Sequence, residues 1–249
     1  MIKEYYRPQT LEEALRLIIQ SDILPLGGGT LLSKSGPAPI KVVDLQALGL
    51  SQIEKKGNNL EIGATVTLQQ LLESKDVPLA LKSALKLEAP LNLRDSATVA
   101  GTLVAADGRS PFATVMLALD SKLNLQPNDE ELEFGNFIPL RSDALRNKLI
   151  TSVSIPVNAK SAFEYVARTP ADKPIVCVAL AQWPSGRTRL ALGGYGLSPL
   201  LAMDGTESDG VETAARNAFH EASDEWSSAE YRMDVAATLA KRCLAFIQS

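Results

Sequence analysis

The chain has 249 residues, of which 45% are hydrophobic and 22% charged. This composition matches a globular protein able to bury a sizeable core, arranged as one large domain or two smaller ones. A net charge of −4, from 25 Lys and Arg against 29 Asp and Glu, leaves no basic excess to neutralise a run of phosphates, which argues against nucleic acid and anionic membranes as partners. The start, Met1 to Pro8, lacks the apolar centre of a signal peptide. No apolar run reaches the roughly 18 to 20 residues of a membrane span, so a cytoplasmic protein is expected.

Reactive side chains are scarce. Cys177 and Cys243 are the only cysteines and have no C-x-x-C spacing, so they read as ordinary thiols rather than as zinc or iron–sulfur ligands. The single histidine, His220, lies in an acidic stretch and reads as solvated or capping. Triads and most metal centres need an imidazole beside other reactive groups. Any catalysis must therefore come through a bound organic cofactor.

In chain order, Thr10 with Glu13 predicts a capped helix over 11–19. Ile23 to Leu26 reads as a short strand running into Gly27-Gly28-Gly29-Thr30, then a Ser, Gly and Pro turn, and a strand over 41–45. A strand at 60–64, a Thr67-capped helix to Leu72 and a helix over 78–87 follow. This alternation is that of an α/β domain. A small-residue turn at 97–102 leads to an apolar helix over 111–119 and a strand over 149–156, where Pro156 and a polar run mark a domain boundary. Beyond it, 163–167, 175–182 and 188–194 read as three antiparallel strands. A helical tail follows, with an acidic solvated stretch over 204–230 and an amphipathic helix over 229–246 packed on the sheet.

Two segments invite a ligand. Consecutive glycines after a strand, at Gly27 to Gly29, let the backbone approach an anion and turn several N–H groups toward it. The spacing fits neither a Rossmann fingerprint nor a Walker loop, because the glycines are contiguous and Lys34 is misplaced. The second segment, Thr98-Val99-Ala100-Gly101-Thr102, could add further N–H donors and hydroxyls, and two such turns suit an extended dinucleotide. On these physical grounds, two unrelated tight turns remain the competing reading.

Seven motifs in order then resemble the FAD-binding subunits of the molybdenum hydroxylases, the xanthine dehydrogenase and carbon monoxide dehydrogenase group. Tyr6-Arg7-Pro8 with Thr10 to Leu15 is similar to their opening, and Leu26 to Leu32 resembles their A-G-G-T-[DS]-L-[LI] loop. Leu93 to Thr102 resembles I-R-N-x-A-T-[IV]-G-G-N, and Leu149 to Pro156 the family's E-L-I strand. Arg168 with Asp172, Ala191 to Gly194 with Pro199, and Ser228 to Arg232 match the C-terminal motifs.

The resemblance implies an α+β protein of the CO dehydrogenase flavoprotein type: a two-subdomain α/β FAD-binding module over 1–157 (about 1–50 and 51–157), then a small C-terminal α+β domain over 158–249 with a three-stranded antiparallel sheet and helices. It implies non-covalent FAD, and partner subunits carrying iron–sulfur clusters and molybdopterin. In such complexes the flavin passes electrons to an external acceptor. Carried over by position, Leu26, Gly27, Gly28, Gly29, Thr30 and Leu31 form the first cofactor loop, and Thr98, Val99, Ala100, Gly101 and Thr102 the second. Ile150 joins them, with Lys173 near the flavin ring and Asp107 and Arg109 as substitute contacts. For Arg109 and Lys173, plain surface roles compete with these assignments.

Four positions depart from the family pattern: Leu31 for Asp or Ser, Ala100 for glycine, Thr102 for Asn or Asp, and Pro111 for the aspartate of the ribityl contact. They favour an alternative reading, a relative that keeps the fold as an assembly or interaction module without flavin. A stand-alone flavin oxidase lacks a positioned general base.

Overall fold

The structure is a computed structural model that describes residues 2–20, 22–33 and 39–249. The expected Ser, Gly and Pro turn, with Lys34, lies largely outside the described residues. The chain begins β1 (Ile2–Tyr6), α1 (Leu11–Ile18), β2 (Ile23–Leu26), β3 (Ile40–Asp44), β4 (Ile53–Lys56), β5 (Asn59–Gly63) and α2 (Leu68–Glu73). It continues through α3 (Leu79–Glu88), α4 (Leu91–Arg94), α5 (Val99–Ala105), α6 (Pro111–Ala118), β6 (Lys122–Gln126), β7 (Glu130–Glu133), α7 (Phe134–Phe137) and α8 (Arg141–Ala144). It ends with β8 (Leu149–Pro156), β9 (Lys160–Val166), β10 (Val176–Gln182), β11 (Thr188–Gly193), β12 (Leu200–Gly205), α9 (Val211–Ala218) and α10 (Ala229–Gln248).

Two compact units emerge, neither continuous in sequence: 1–75 with 90–105 and 122–154, and 76–89 with 106–121 and 155–249. The first unit holds a parallel sheet of order β1-β3-β2 and a five-stranded sheet of order β4-β5-β8-β6-β7. Helix α1 starts where Thr10 accepts the Glu13 N–H, while the Glu13 carboxylate takes the Gln9 N–H. Ala14 and Ile18 then pack on Ile23 and Val43, the crossover that β1, α1 and β2 require. Helix α2 has the full capping box expected at Thr67, with Gln70 returning a hydrogen bond.

In the second unit the antiparallel sheet has four strands, β12-β11-β10-β9, rather than three. Residues 200–205, partly assigned to the helical tail, pair instead with β11, and β9 starts at Lys160, inside the expected polar boundary. The unrecognised strand carries no clean alternation, with Leu200 and Leu201 both exposed on a sheet edge. Strand β10 is buried from Val176 to Ala181 because both faces are covered. Val176, Val178, Leu180, Leu190 and Leu192 pack with Ala215, Ala236, Leu239 and Ala240 of α9 and α10. The other face is lined by small residues and meets α6: a Cβ on Gly193 would lie 2.3 Å from Thr114 Oγ1. Cys177 is buried on this face and Cys243 on the helix-covered one, both as free thiols pushed up to about 12 by burial, and so inert.

Arg232 of α10 is fully buried. Its guanidinium donates to the carbonyls of Ala222 (2.6 Å) and Ser227 (3.1 Å) and to Asp224 (2.8 Å), and lies 5.1 Å from the Tyr195 ring centre. The Ser228 to Arg232 motif is therefore a structural one: Ser228 caps α10 and Arg232 ties it to the preceding loop. Burial works to raise the Asp224 pKa, but hydrogen bonds from Arg232 and the Trp226 and Ser227 amides hold this carboxyl below the usual carboxylate range. Replacing Arg232 by Met leaves these acceptors unpaired and should cost about 3–5 kcal/mol, read as a lower urea midpoint. A loss below about 1 kcal/mol would contradict the structural role.

Candidate functional site

The two small-residue segments meet within the first unit. A Cβ built on Gly28 would lie 1.6 Å from the Ser96 carbonyl oxygen, and one on Gly27 would lie 2.5 Å from Thr98 Oγ1. Only glycine permits this approach of one backbone to another. Gly29 adds a left-handed φ of +71°. The second segment is held by Leu68 N–H to Ala97 O (2.9 Å) and Val99 N–H to Val66 O (2.8 Å).

The first loop keeps its donors. Among the described residues, the amides of Gly27, Gly28, Gly29, Thr30 and Leu31 make no hydrogen bond within the protein. Leu26, at the end of β2, is paired beside Asp44. Thr30 is half-buried and Leu31 is 50% exposed. Five open amides in one turn, at the carboxyl end of a parallel strand, offer partial positive charge suited to a diphosphate. The residues present fit the phosphates of FAD.

The second segment differs from the sequence expectation. Residues 99–105 are helix α5 rather than a turn, and their first amides are spent. Ala100 N–H reaches Ala64 O (3.3 Å), Gly101 N–H reaches Thr98 Oγ1 (3.3 Å) and Thr102 N–H reaches Thr98 O (2.9 Å), in addition to the Val99 bond. The expected second set of free amides is absent from Val99 to Thr102, because the backbone turns straight into a helix. Ala100 is buried in that helix, a position that tolerates a methyl. Ile150 is also buried, on β8 opposite Leu125.

The remaining expected residues lie together in the second unit. Asp107 accepts the Arg109 N–H (3.0 Å), and Lys173 Nζ is 3.3 Å from the Asp107 carboxylate. Arg109 donates to the carbonyls of Lys173 (2.8 Å) and Pro174 (3.2 Å) and stacks 4.4 Å from the Trp226 ring centre. Its guanidinium thus clasps the 173–174 backbone. Pro111 begins α6 at the position where proline is preferred, behind the Ser110 cap. His220 is exposed, with Nδ1 at 2.9 Å from the Asn217 carbonyl.

Sequence reasoning missed three residues. Gln46 Nε2 donates to the Gly27 carbonyl (3.0 Å), and Asp44 accepts the Gln46 N–H (2.9 Å) and the Tyr5 hydroxyl. Nothing local marks them, since only the parallel pairing of β2 with β3 brings 44–46 beside Gly27. Glu88 was also unmarked. Its carboxylate accepts from Ser110 Oγ (2.7 Å) and the Phe112 N–H (3.0 Å), capping α6 from another helix. Burial pushes the Glu88 carboxyl up, against the Lys173 charge and these hydrogen bonds.

Two expectations follow. Gly28→Ala drives a methyl into a backbone carbonyl and should destabilise the protein by about 3 kcal/mol, measured by denaturant unfolding; an unchanged midpoint would refute the packing. Because Glu88 binds its proton more tightly in the folded state, its contribution is fully present below the unfolded pKa, about 4.3, and is lost as pH rises through the folded value. The stability of the wild type relative to Glu88→Gln should therefore fall with rising pH. A flat difference from about pH 4 to pH 8 would show an ordinary carboxyl.

A family model described as the FAD binding domain in molybdopterin dehydrogenase matches residues 1–158. The chain is 28% identical over 247 residues to the uncharacterized protein YgfM of Escherichia coli K12, covering 96% of this chain and 94% of that protein. It is 27% identical over 280 residues to the alpha subunit of the 6-hydroxypseudooxynicotine dehydrogenase complex of Paenarthrobacter nicotinovorans, covering 97% and 93%. Quinoline 2-oxidoreductase from Pseudomonas putida 86 superposes with a TM-score of 0.81 at 22% identity, covering 98% of this chain and 96% of that one. Reconstituted CO dehydrogenase from Oligotropha carboxidovorans gives 0.80 at 23%, covering 97% and 96%. These two structures establish the fold.

Proposed function

Because this chain belongs to the FAD-binding family of the molybdopterin dehydrogenases, we propose that it is the flavin subunit of a multi-subunit molybdenum hydroxylase. In this reading it binds FAD without a covalent link. It takes electrons from the iron–sulfur clusters of one partner subunit, downstream of a molybdopterin subunit, and delivers them to an external acceptor. The naming of one relative as a subunit of a dehydrogenase complex supports a role within an assembly. Among the described residues no helix is long and apolar enough to cross a membrane.

The observation that carries the proposal is the row of five open amides from Gly27 to Leu31, held by the contact of Gly28 with Ser96. Their role is to bind and orient the diphosphate, which needs partial positive charge without a competing protein acceptor. Lys173, paired with Asp107, offers a cation within the second unit. The flavin, when bound, supplies the redox chemistry.

A second reading, a colourless assembly module, draws on the spent amides of Val99 to Thr102 and on the use of Pro111 as a helix start. Absorbance separates the two. The full-length chain, as purified or after incubation with FAD, should be yellow, with a band near ~450 nm from oxidised flavin, and should saturate on titration. A sample that stays colourless and cannot be titrated would establish the module reading instead.

A further inference from the structure

Three carbonyls of the glycine loop are held by hydrogen bonds. Leu26 O accepts the Leu45 N–H (3.0 Å), Gly29 O accepts the Ser33 N–H (2.9 Å), and Gly27 O accepts Gln46 Nε2 (3.0 Å). The first two partners are backbone, and the third is a side chain. The peptide bonds here are trans, with C=O and N–H pointing in opposite directions across a planar unit. Holding these carbonyls therefore aims the N–H groups of Gly27, Gly28 and Thr30 away from the anchors, which is why those amides are open.

The Gly27–Gly28 peptide is the weak point. Glycines on both sides leave no side chain to resist rotation of the peptide plane itself, although the Gly28 Cα is packed against Ser96. A rotated unit would present a carbonyl oxygen to an anion in place of an amide. Gln46 opposes that rotation, and it is itself anchored: its N–H donates to Asp44 Oδ1 (2.9 Å), while the other Asp44 oxygen takes the Tyr5 hydroxyl with Arg7 at 3.7 Å.

We propose that Gln46 is a positioning residue for the cofactor diphosphate, acting through the Gly27 carbonyl to set the direction of the Gly28 N–H. The inference rests on the flavin-binding reading and adds to it a residue outside every motif quoted above. Gln46 is exposed, so its replacement removes little packing.

The test uses the full chain as wild type, Gln46→Ala and Gln46→Glu, with FAD, ADP and riboflavin as ligands and the urea midpoint as a control. Losing one neutral hydrogen bond should raise Kd for FAD and ADP about fivefold in Gln46→Ala. Gln46→Glu should raise it more, since an ionised carboxylate cannot donate and repels the phosphates. Riboflavin, which has no phosphate, should bind all three proteins alike, and the midpoint should not move. Unchanged FAD and ADP affinities in both variants would overturn the role of Gln46 while leaving flavin binding intact. An equal loss for riboflavin, or a lowered midpoint, would also overturn it by showing general damage. A wild type that binds neither FAD nor ADP would defeat the flavin reading, and this inference with it.

Discussion

The close approach of Gly28 to the Ser96 carbonyl is the constraint on which the site depends. It joins a loop after β2 to the segment before α5, two pieces of chain distant in sequence. The contact has no room for a side chain, so the two backbones lie in van der Waals register and the glycine loop cannot relax into an ordinary turn. A loop so held keeps its amides unpaired at a cost that a packed interior would not tolerate, and it does so because the loop is only half-buried.

The two loops divide the work unequally. The first offers amides, fixed through its carbonyls by Leu45, Ser33 and Gln46. The second offers rigidity: the Val99 and Ala100 amides are stitched to Val66 and Ala64, and Thr98 is buried against Gly27. This asymmetry puts the family departures in physical terms. Ala100 and Thr102 lie where the backbone is already committed to a helix, so a side chain there displaces no open donor. Leu31 stands beside the open amides and withholds a polar side chain from them.

The second unit is organised around buried charge and small residues rather than a ligand loop. Arg232 gathers carbonyls and Asp224 around the start of α10, and Glu88 together with Ser110 caps α6. Arg109 and Arg168 both stack on Trp226, at 4.4 and 4.3 Å from the ring centre, and Arg109 holds the backbone of Lys173. Lys173, which the resemblance places near the flavin ring, is thus set on a frame of cation–π and carbonyl contacts.

The sequence alone determined the capped helices at Thr10 and Thr67, the final helix from Ala229, strands close to the expected 149–156, 175–182 and 188–194, and the glycine loop, because caps, apolar periodicity and contiguous glycines act within a few residues. The family was legible for the same reason, through short motifs in order. The strand at 200–205 was not, since an edge strand with exposed leucines shows no alternation. Tertiary structure alone decided that 99–105 is helical, that Gln46 grips Gly27 and that Glu88 caps α6, since each depends on the pairing of segments far apart in the chain. Which amides are left free is the outcome of those distant partnerships, and no local pattern records it.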